Sequence, residues 1–219
     1  MPRIIDVLLS ILALFVLLPL FIPIVIILLL TGEHKVFYLQ TRVGYRNKNF
    51  KIIKFATMLS NSANMGSGSL TLRNDPRVLP FGSFLRKTKI NELPQILNII
   101  IGDLSIVGPR PQMQVDFEKY SDDVQGKIYN VRPGLTGIGS IIFRDEESLI
   151  SAASEQEDPH KFYKRVIAPY KGELEIWYQE NCSIYLDFQL IFMTVWIILF
   201  PKSKLYNKWF KNLPENNFY

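Results

Sequence analysis

The chain has 219 residues, 48% of them hydrophobic, and 25 Lys and Arg against 20 Asp and Glu give a net charge of +5. This length suits one ordinary domain with an appendage and excludes two large domains, while the positive charge suits nucleic acid, an anionic membrane surface or a phosphorylated substrate. The single cysteine, Cys182, excludes an intrachain disulfide and any zinc site built from several cysteines, which fits a reducing cytosolic setting.

From Val7 to Leu30 no side chain is charged and only Ser10 is polar. As a straight helix the segment would reach about 36 Å, comparable with a hydrocarbon core of about 30 Å. It is too long for the apolar part of a signal peptide, and no small-residue cleavage site follows it. Pro19 and Pro23 interrupt its middle and deprive the carbonyls of Phe15 and Pro19 of their helical donors. Each half, about twelve residues, falls short of the roughly twenty needed to cross alone. A bent, re-entrant insertion and a kinked transmembrane helix both satisfy this pattern. Arg3 precedes the segment and Lys35, Arg42, Arg46, Lys48, Lys51 and Lys54 follow it, so the positive-inside tendency puts the rest of the chain in the cytosol.

Val36 to Gln40 and Phe50 to Phe55 read as short strands about a turn at Gly44 to Asn49, and the Gly/Ser/Asn-rich stretch from Ser60 to Ser69 reads as a mobile loop beside a site. Ser83 to Ile101 has helical apolar spacing interrupted by Pro94, which predicts two helical pieces. Asp116 to Val131 and Pro159 to Asn181 read as mainly helical, with Asp145 to Asp158 part loop and part helix. Phe188 to Phe200 is an apolar run too short to span comfortably. With Trp196, Tyr206, Trp209 and the lysines at 202, 204, 208 and 211 beside it, an interfacial helix is one reading and a buried core helix with a basic tail the other. The expected fold class is α+β, mainly helical with a small sheet. Its parts are a membrane anchor over 1–34 containing a broken hydrophobic helix, a main domain over 35–201, and a basic aromatic tail over 202–219.

Three clusters could carry chemistry: Arg86 to Gln95, Gly102 to Pro111, and Arg132 to Gly137. In each, glycine or proline fixes the backbone beside an arginine or carboxylate. Rigid guanidinium forks match pairs of phosphate oxygens. Each motif alone is an ordinary turn with a solvated charge; their joint presence behind a membrane anchor shifts the balance.

The run Lys-Phe-Ala-Thr-Met at 54 to 58, Phe-Leu-Arg-Lys-Thr and Glu-Leu-Pro-Gln within 84 to 95, Gly-Asp-Leu-Ser-Ile-Val-Gly-Pro-Arg-Pro at 102 to 111 and Arg-Pro-Gly-Leu-Thr-Gly at 132 to 137 resembles the bacterial sugar transferases, the monotopic phosphoglycosyl transferases. The resemblance extends from Arg3 to about Pro201. It implies a re-entrant N-terminal helix with its membrane hinge at Pro19 and Pro23, a cytosolic α/β catalytic unit with amphipathic helices on the lipid bilayer of the bacterial inner membrane, and a Mg2+ cofactor. The implied reaction moves sugar 1-phosphate from a UDP-sugar to undecaprenyl phosphate, releases UMP, passes through a phosphosugar-enzyme intermediate and initiates a surface glycan. Lys54, Arg86, Arg110, Arg132 and Arg144 are the implied phosphate and nucleotide binders, Glu92 with Asn91 the catalytic pair, and Glu92 the metal support. Nucleic acid is not an expected partner, and self-association into a homo-oligomer is left open.

This chain departs from the family at the catalytic pair, where an adjacent Asp-Glu is usual and Asn91-Glu92 stands instead. An amide cannot serve as a carboxylate nucleophile. Glu92 itself, or another carboxylate such as Asp103, Asp145 or Glu146, would have to take the role, or the chain is a catalytically silent partner in a glycan assembly complex. The acids at 145 to 147 are a second departure, readable as compensation for Asn91 in binding metal or as a charge cluster at a helix N-terminus.

Overall fold

The computed structural model describes residues 1–215 apart from Ser67 and Arg73, and of Ala63 the backbone alone. Ser67 of the expected loop and 216–219 of the expected tail lie outside the described residues. Helix α1 (Arg3–Leu30) is followed by a hairpin of β1 (Phe37–Val43) and β2 (Asn49–Phe55). Then come α2 (Pro80–Lys87), α3 (Gln95–Ile101), β3 (Ser105–Val107), α4 (Gln114–Phe117), α5 (Asp122–Lys127) and β4 (Gly134–Thr136). The remainder is helical: α6 (Ile138–Ile142), α7 (Glu146–Ala153), α8 (Pro159–Phe162), α9 (Ala168–Asn181), α10 (Ile184–Leu199) and α11 (Tyr206–Trp209). The chain is thus α+β, mainly helical with small sheets, as its sequence leads one to expect.

Helical backbone runs without interruption through Pro19 and Pro23. This corrects the expected broken helix: each proline removes one donor, but the neighbouring i to i−4 bonds carry the helix past the gap. With 28 residues, α1 is long and apolar enough to cross a membrane by length and composition.

Both ends of α1 are tied to the rest of the molecule. Near its start, Arg3 donates to the carbonyls of Ile100 (3.0 Å), a free acceptor at the end of α3, and of Leu104 (3.4 Å), just before β3. Asp6, almost fully buried, accepts from the Ser105 hydroxyl (2.8 Å) and the Ile106 amide (2.9 Å). Near its finish, Ile24 and Leu28 are buried against Phe55 and Leu85. The opposite face is bare, with Leu12, Phe15 and Val16 between 60 and 69% exposed.

The strands are short but closely specified. β1 and β2 pair antiparallel from Phe37↔Phe55 to Val43↔Asn49, and Arg46 and Asn47 in the connecting turn adopt positive φ of 55° and 57°. β3 and β4 pair in parallel, Ser105 with Gly134 and Val107 with Thr136. Here the backbones approach so closely that a Cβ on Gly134 would overlap the Gly108 peptide. That contact explains why both glycine motifs are needed.

The expected break near Pro94 occurs. Lys89 takes a positive φ of 59° after α2, a tight turn covers Ile90–Glu92, and Pro94 caps α3. Pro159 to Asn181 is helical throughout, with a wide π turn over Tyr163–Ile167; Pro169 removes the donor for the Arg165 carbonyl, a known cause of such turns. Asp116 to Val131 is only partly helical, in the end of α4 and in α5.

α9 and α10 build the main core with α6, burying Leu174, Leu190, Met193 and Ile138 completely or nearly so. α10 buries Leu186, Leu190, Met193 and Ile197 at helical spacing, yet exposes Tyr185, Phe188, Phe192, Val195 and Leu199 on its other side. It therefore has a core face, as one of the two readings expects, and a bare apolar face on its other side.

The segment expected to be a mobile loop is cross-tied. Buried Arg77 donates to the carbonyls of Ser62 (2.7 Å), Met65 (2.8 Å), Gly68 (2.9 Å) and Leu70 (2.7 Å) while pairing with Asp75 at 2.6 Å. Only a guanidinium offers enough fixed donors for this. Replacing Arg77 with Ala strands a buried carboxylate and four carbonyls, and should lower unfolding stability by about 3–5 kcal/mol in a denaturant titration. An unchanged midpoint would show that the ties contribute nothing.

Candidate active site

Three elements bring the central charges together. Lys54 stands near the end of β2, Glu92 on the turn between α2 and α3, and Arg110 on the Gly-Pro-Arg-Pro turn after β3. Glu92 Oε1 accepts from Lys54 Nζ (3.2 Å) and Arg110 Nη2 (2.6 Å), and Oε2 accepts from Arg110 Nη1 (3.2 Å). The Arg110 turn is pinned from behind, because Tyr129 donates its hydroxyl proton to the Arg110 carbonyl and accepts from the Gln112 amide, both at 2.9 Å. Glu92 is thereby bound as a fork by a guanidinium whose backbone cannot swing.

This triad lines a cavity of about 490 Å³ together with Arg42, Arg86, Lys89, Arg144 and Lys171. Of the four arginines read from the sequence, three line it; Arg132 does not. Its Nε donates to the Gly102 carbonyl (3.1 Å) and its guanidinium lies 5.4 Å from the Tyr45 ring centre. Arg42, Arg77, Lys89 and Lys171 are the cavity cations that the sequence reading missed. Lys89 stands inside a quoted motif, and Arg42 alternates with buried Val43 on a strand, but nothing in the sequence marks Lys171.

The three acids after Arg144 serve as counter-ions. Asp145 pairs with Arg144 (3.2 Å), Glu146 with buried Lys171 (2.6 Å), and Glu147 with Arg86. Glu146 and Glu147 also occupy the first turn of α7, where negative charge favours the helix. Asp103 lies away from the cavity, bound to the Asn98 side chain at 3.2 Å.

Burial and charge shift the site in opposite directions. Burial pushes Lys54 down to about 7, against the pull of Glu92. Burial also lowers Lys89. For Glu92 burial is the largest single influence and raises it, but Arg110 and Lys54 together hold the carboxyl well below its ordinary value. Glu92 in turn raises Arg110. Behind the turn, burial lifts Glu175 to about 7.

Asn91 lines the cavity beside Glu92, 5% exposed, and its Oδ1 has no hydrogen-bond partner. Among the described residues no group of three or more His, Cys, Asp or Glu could hold a metal. The oxygens that fit one are Asn91 Oδ1 and the Glu92 carboxylate, a sparse set of the kind magnesium accepts when substrate phosphates and water complete its shell.

Lys54 should be the exceptional lysine in acylation kinetics. Followed residue by residue by mass spectrometry, its labelling should reach half its limiting rate near pH 7, while surface lysines do so above about pH 9. A Lys54 profile that coincides with theirs would show a normally titrating ammonium.

Comparison with known proteins agrees with these features. The family model for bacterial sugar transferases matches residues 1–201. The exopolysaccharide production protein ExoY of Sinorhizobium fredii is 34% identical over 87% of this chain and 81% of its own length. The UDP-N-acetylgalactosamine-undecaprenyl-phosphate N-acetylgalactosaminephosphotransferase of Aeromonas hydrophila is 30% identical over 89% of this chain and 42% of its own. The UDP-glucose:undecaprenyl-phosphate glucose-1-phosphate transferase of Escherichia coli is 32% identical over 87% of this chain and 38% of its own. The chain thus spans most of the first relative and under half of the other two. A match over this much of the sequence, joined to the charged cavity behind an apolar helix, means that the chain belongs to the bacterial sugar transferase family, whose members are phosphoglycosyl transferases.

Proposed function

We propose that the chain moves sugar 1-phosphate from a UDP-sugar to undecaprenyl phosphate with release of UMP, initiating a surface glycan at the cytosolic face of the bacterial inner membrane. The observation that carries this reading is the cavity in which Lys54 and Arg110 are fixed by Glu92, with Arg86 and Arg144 in the same wall. Phosphoryl transfer needs little covalent help from a protein, but it needs cations held where charge spreads over phosphate oxygens. Lys54 and Arg110 are so held. Glu92 pulls Lys54 toward its protonated form against the effect of burial and orients the Arg110 fork, while Arg86 and Arg144 exchange their acid partners for phosphate oxygens.

A magnesium ion fits as a cofactor held by Asn91 Oδ1 and Glu92, where it would neutralise diphosphate charge. Asn91→Ala should then raise the magnesium concentration for half-maximal UMP release by about tenfold. No change would remove Asn91 from the metal site.

The membrane arrangement follows the bare apolar faces. α10 contributes Ile191, Val195 and Ile198 to the cavity and exposes Phe188, Phe192 and Leu199. Lying at the interface, it would bring a lipid phosphate beside the cations. For α1 the re-entrant reading is supported by its polar attachments: Arg3 and Asp6 hold its start, and Phe55 and Leu85 its finish, on one globular unit. A membrane-spanning helix would have to give up one set of these contacts.

The direct test is UMP release from common UDP-sugars with undecaprenyl phosphate in detergent. The native chain should release UMP, and Glu92→Gln should be slower by about a hundredfold or more, as when one preorganised charge contact is lost. Equal rates would contradict the role of Glu92; no release by the native chain with any sugar would favour a silent partner in glycan assembly, the reading Asn91 invites.

A further inference from the structure

Glu175 is a buried acid that none of the ion pairs uses. It lies in the middle of α9, 1% exposed, behind Arg110, Gly139 and Lys171, which line the cavity. Its Oε1 accepts from the Arg110 amide at 3.4 Å, and its Oε2 has no hydrogen-bond partner. A carboxylate with one oxygen left empty away from water is costly, and a proton on the carboxyl removes that cost. Burial lifts it to about 7, against the pull of the Arg110 amide, Lys171 and the Arg110 guanidinium. At neutral pH it is therefore divided between its two forms.

Glycine makes the room for this side chain. A Cβ on Gly139 would overlap Oε1, and one on Gly137 would overlap the Gly108 carbonyl and come within 3.9 Å of Oε2. Gly137 closes the Arg-Pro-Gly-Leu-Thr-Gly motif and Gly139 lies in the first turn of α6. The carboxyl is thus wedged where that motif passes the Gly-Pro-Arg-Pro turn.

The groups that face it come from several elements. On α9 itself, Lys171 stands one turn earlier with its Nζ on Glu146 (2.6 Å), and Tyr178 stands three residues later with its hydroxyl on Asp187 of α10 (2.7 Å). Tyr120 and Tyr129 come from the segments flanking α5, and Arg110 from the turn after β3. Burial raises all three tyrosines, so they stay neutral. Arg110 and Lys171 are the cations on which ionisation of Glu175 acts.

We infer that Glu175 is a positioning residue for the nucleotide phosphates: protonated, it holds the Arg110 turn by its amide and leaves the charge of Arg110 and Lys171 to the cavity, whereas ionised it sets an anion behind them and weakens phosphate binding. This rests on the proposed role of Arg110 at the phosphates. Glu175 touches no substrate and acts through the Arg110 turn and Lys171. Either form keeps an oxygen on the amide, so the proton changes the charge behind the turn and not its shape. A unit charge a few ångströms away, in a medium of effective dielectric constant about 20, changes an affinity by about tenfold or more.

The test is equilibrium binding of UDP to the full chain in detergent, from about pH 6 to about pH 8.5. Native affinity should fall as pH rises. Lys54 sheds its proton over the same range, so the share of Glu175 is read by difference. Glu175→Gln keeps an oxygen for the Arg110 amide and stays neutral; it should bind UDP as the native chain does at the acid end and lose about tenfold less affinity by the alkaline end. Glu175→Leu fills the space without an acceptor. It should bind more weakly than the Gln variant at the acid end and show the same reduced pH dependence, so it reports the titration if the Gln variant does not fold. A native pH dependence in these variants would overturn the inference, and so would a Gln variant as weak as the Leu variant at the acid end. If UDP does not bind the native chain, the nucleotide site and the inference fail together. If UDP binds but no UDP-sugar yields UMP with undecaprenyl phosphate, the transfer fails, and the inference stands or falls on the pH comparison.

Discussion

The fork of Arg110 on Glu92, reinforced by Lys54, is the contact on which the site depends. It joins the end of β2, the turn between two helices and the turn after β3. Such charges are tolerable away from water only when each finds its partner, and removal of one leaves the others stranded. The surrounding backbone is stiff for that reason: a left-handed Lys89 and Pro94 fix Glu92, while Pro109, Pro111 and the Tyr129 hydroxyl fix Arg110. The triad holds positive charge at a cavity wall without letting it collapse onto other acids. The outer cations are paired more loosely, through partly exposed Asp145 and Glu147, so they are the ones that can change partners.

Arg3 and Asp6 extend the same logic to the anchor. Two charges at the head of a long apolar helix would be a liability in hydrocarbon, but here Arg3 is spent on the Ile100 and Leu104 carbonyls and Asp6 on the Ser105 hydroxyl and the Ile106 amide. The same short strand carries the anchor on one side and leads directly into the Arg110 turn on the other. Anchor and cavity thus share one strand. α10 repeats the arrangement, with one side in the core and the other bare.

Much of this was legible from the residues. Periodicity and proline placed α2, α3 and α10, and the Gly-Pro-Arg-Pro and Arg-Pro-Gly-Leu-Thr-Gly motifs marked the two turns that meet through Gly108 and Gly134. Arg86 and Arg110 were found because rigid turns beside arginine are a local signal, and Arg144 through the family resemblance. Arg132 was over-read by the same signal, since a local motif does not say whether its guanidinium faces a cavity or a carbonyl. Lys171 and Arg77 were missed because their partners, Glu146 and the carbonyls of the 62–70 loop, become neighbours only on folding. Composition suggested a mobile loop where one buried arginine supplies the order. At Pro19 and Pro23 the missing donors were rightly identified, but the persistence of the surrounding helical bonds was underestimated.

Taken together, the Glu92 triad, the outer ion pairs and the bare apolar faces describe a transferase site whose charges are in place for a phosphorylated substrate. That view requires the sugar and its phosphate to move as one unit. The most direct measurement uses a UDP-sugar carrying distinct labels on the sugar and the β-phosphate, incubated with the purified chain and undecaprenyl phosphate in a membrane mimic. Both labels should enter the extracted lipid in equal amounts, with UMP left unlabelled. Sugar label in the lipid without the β-phosphate label, or neither label in the lipid, would contradict the account.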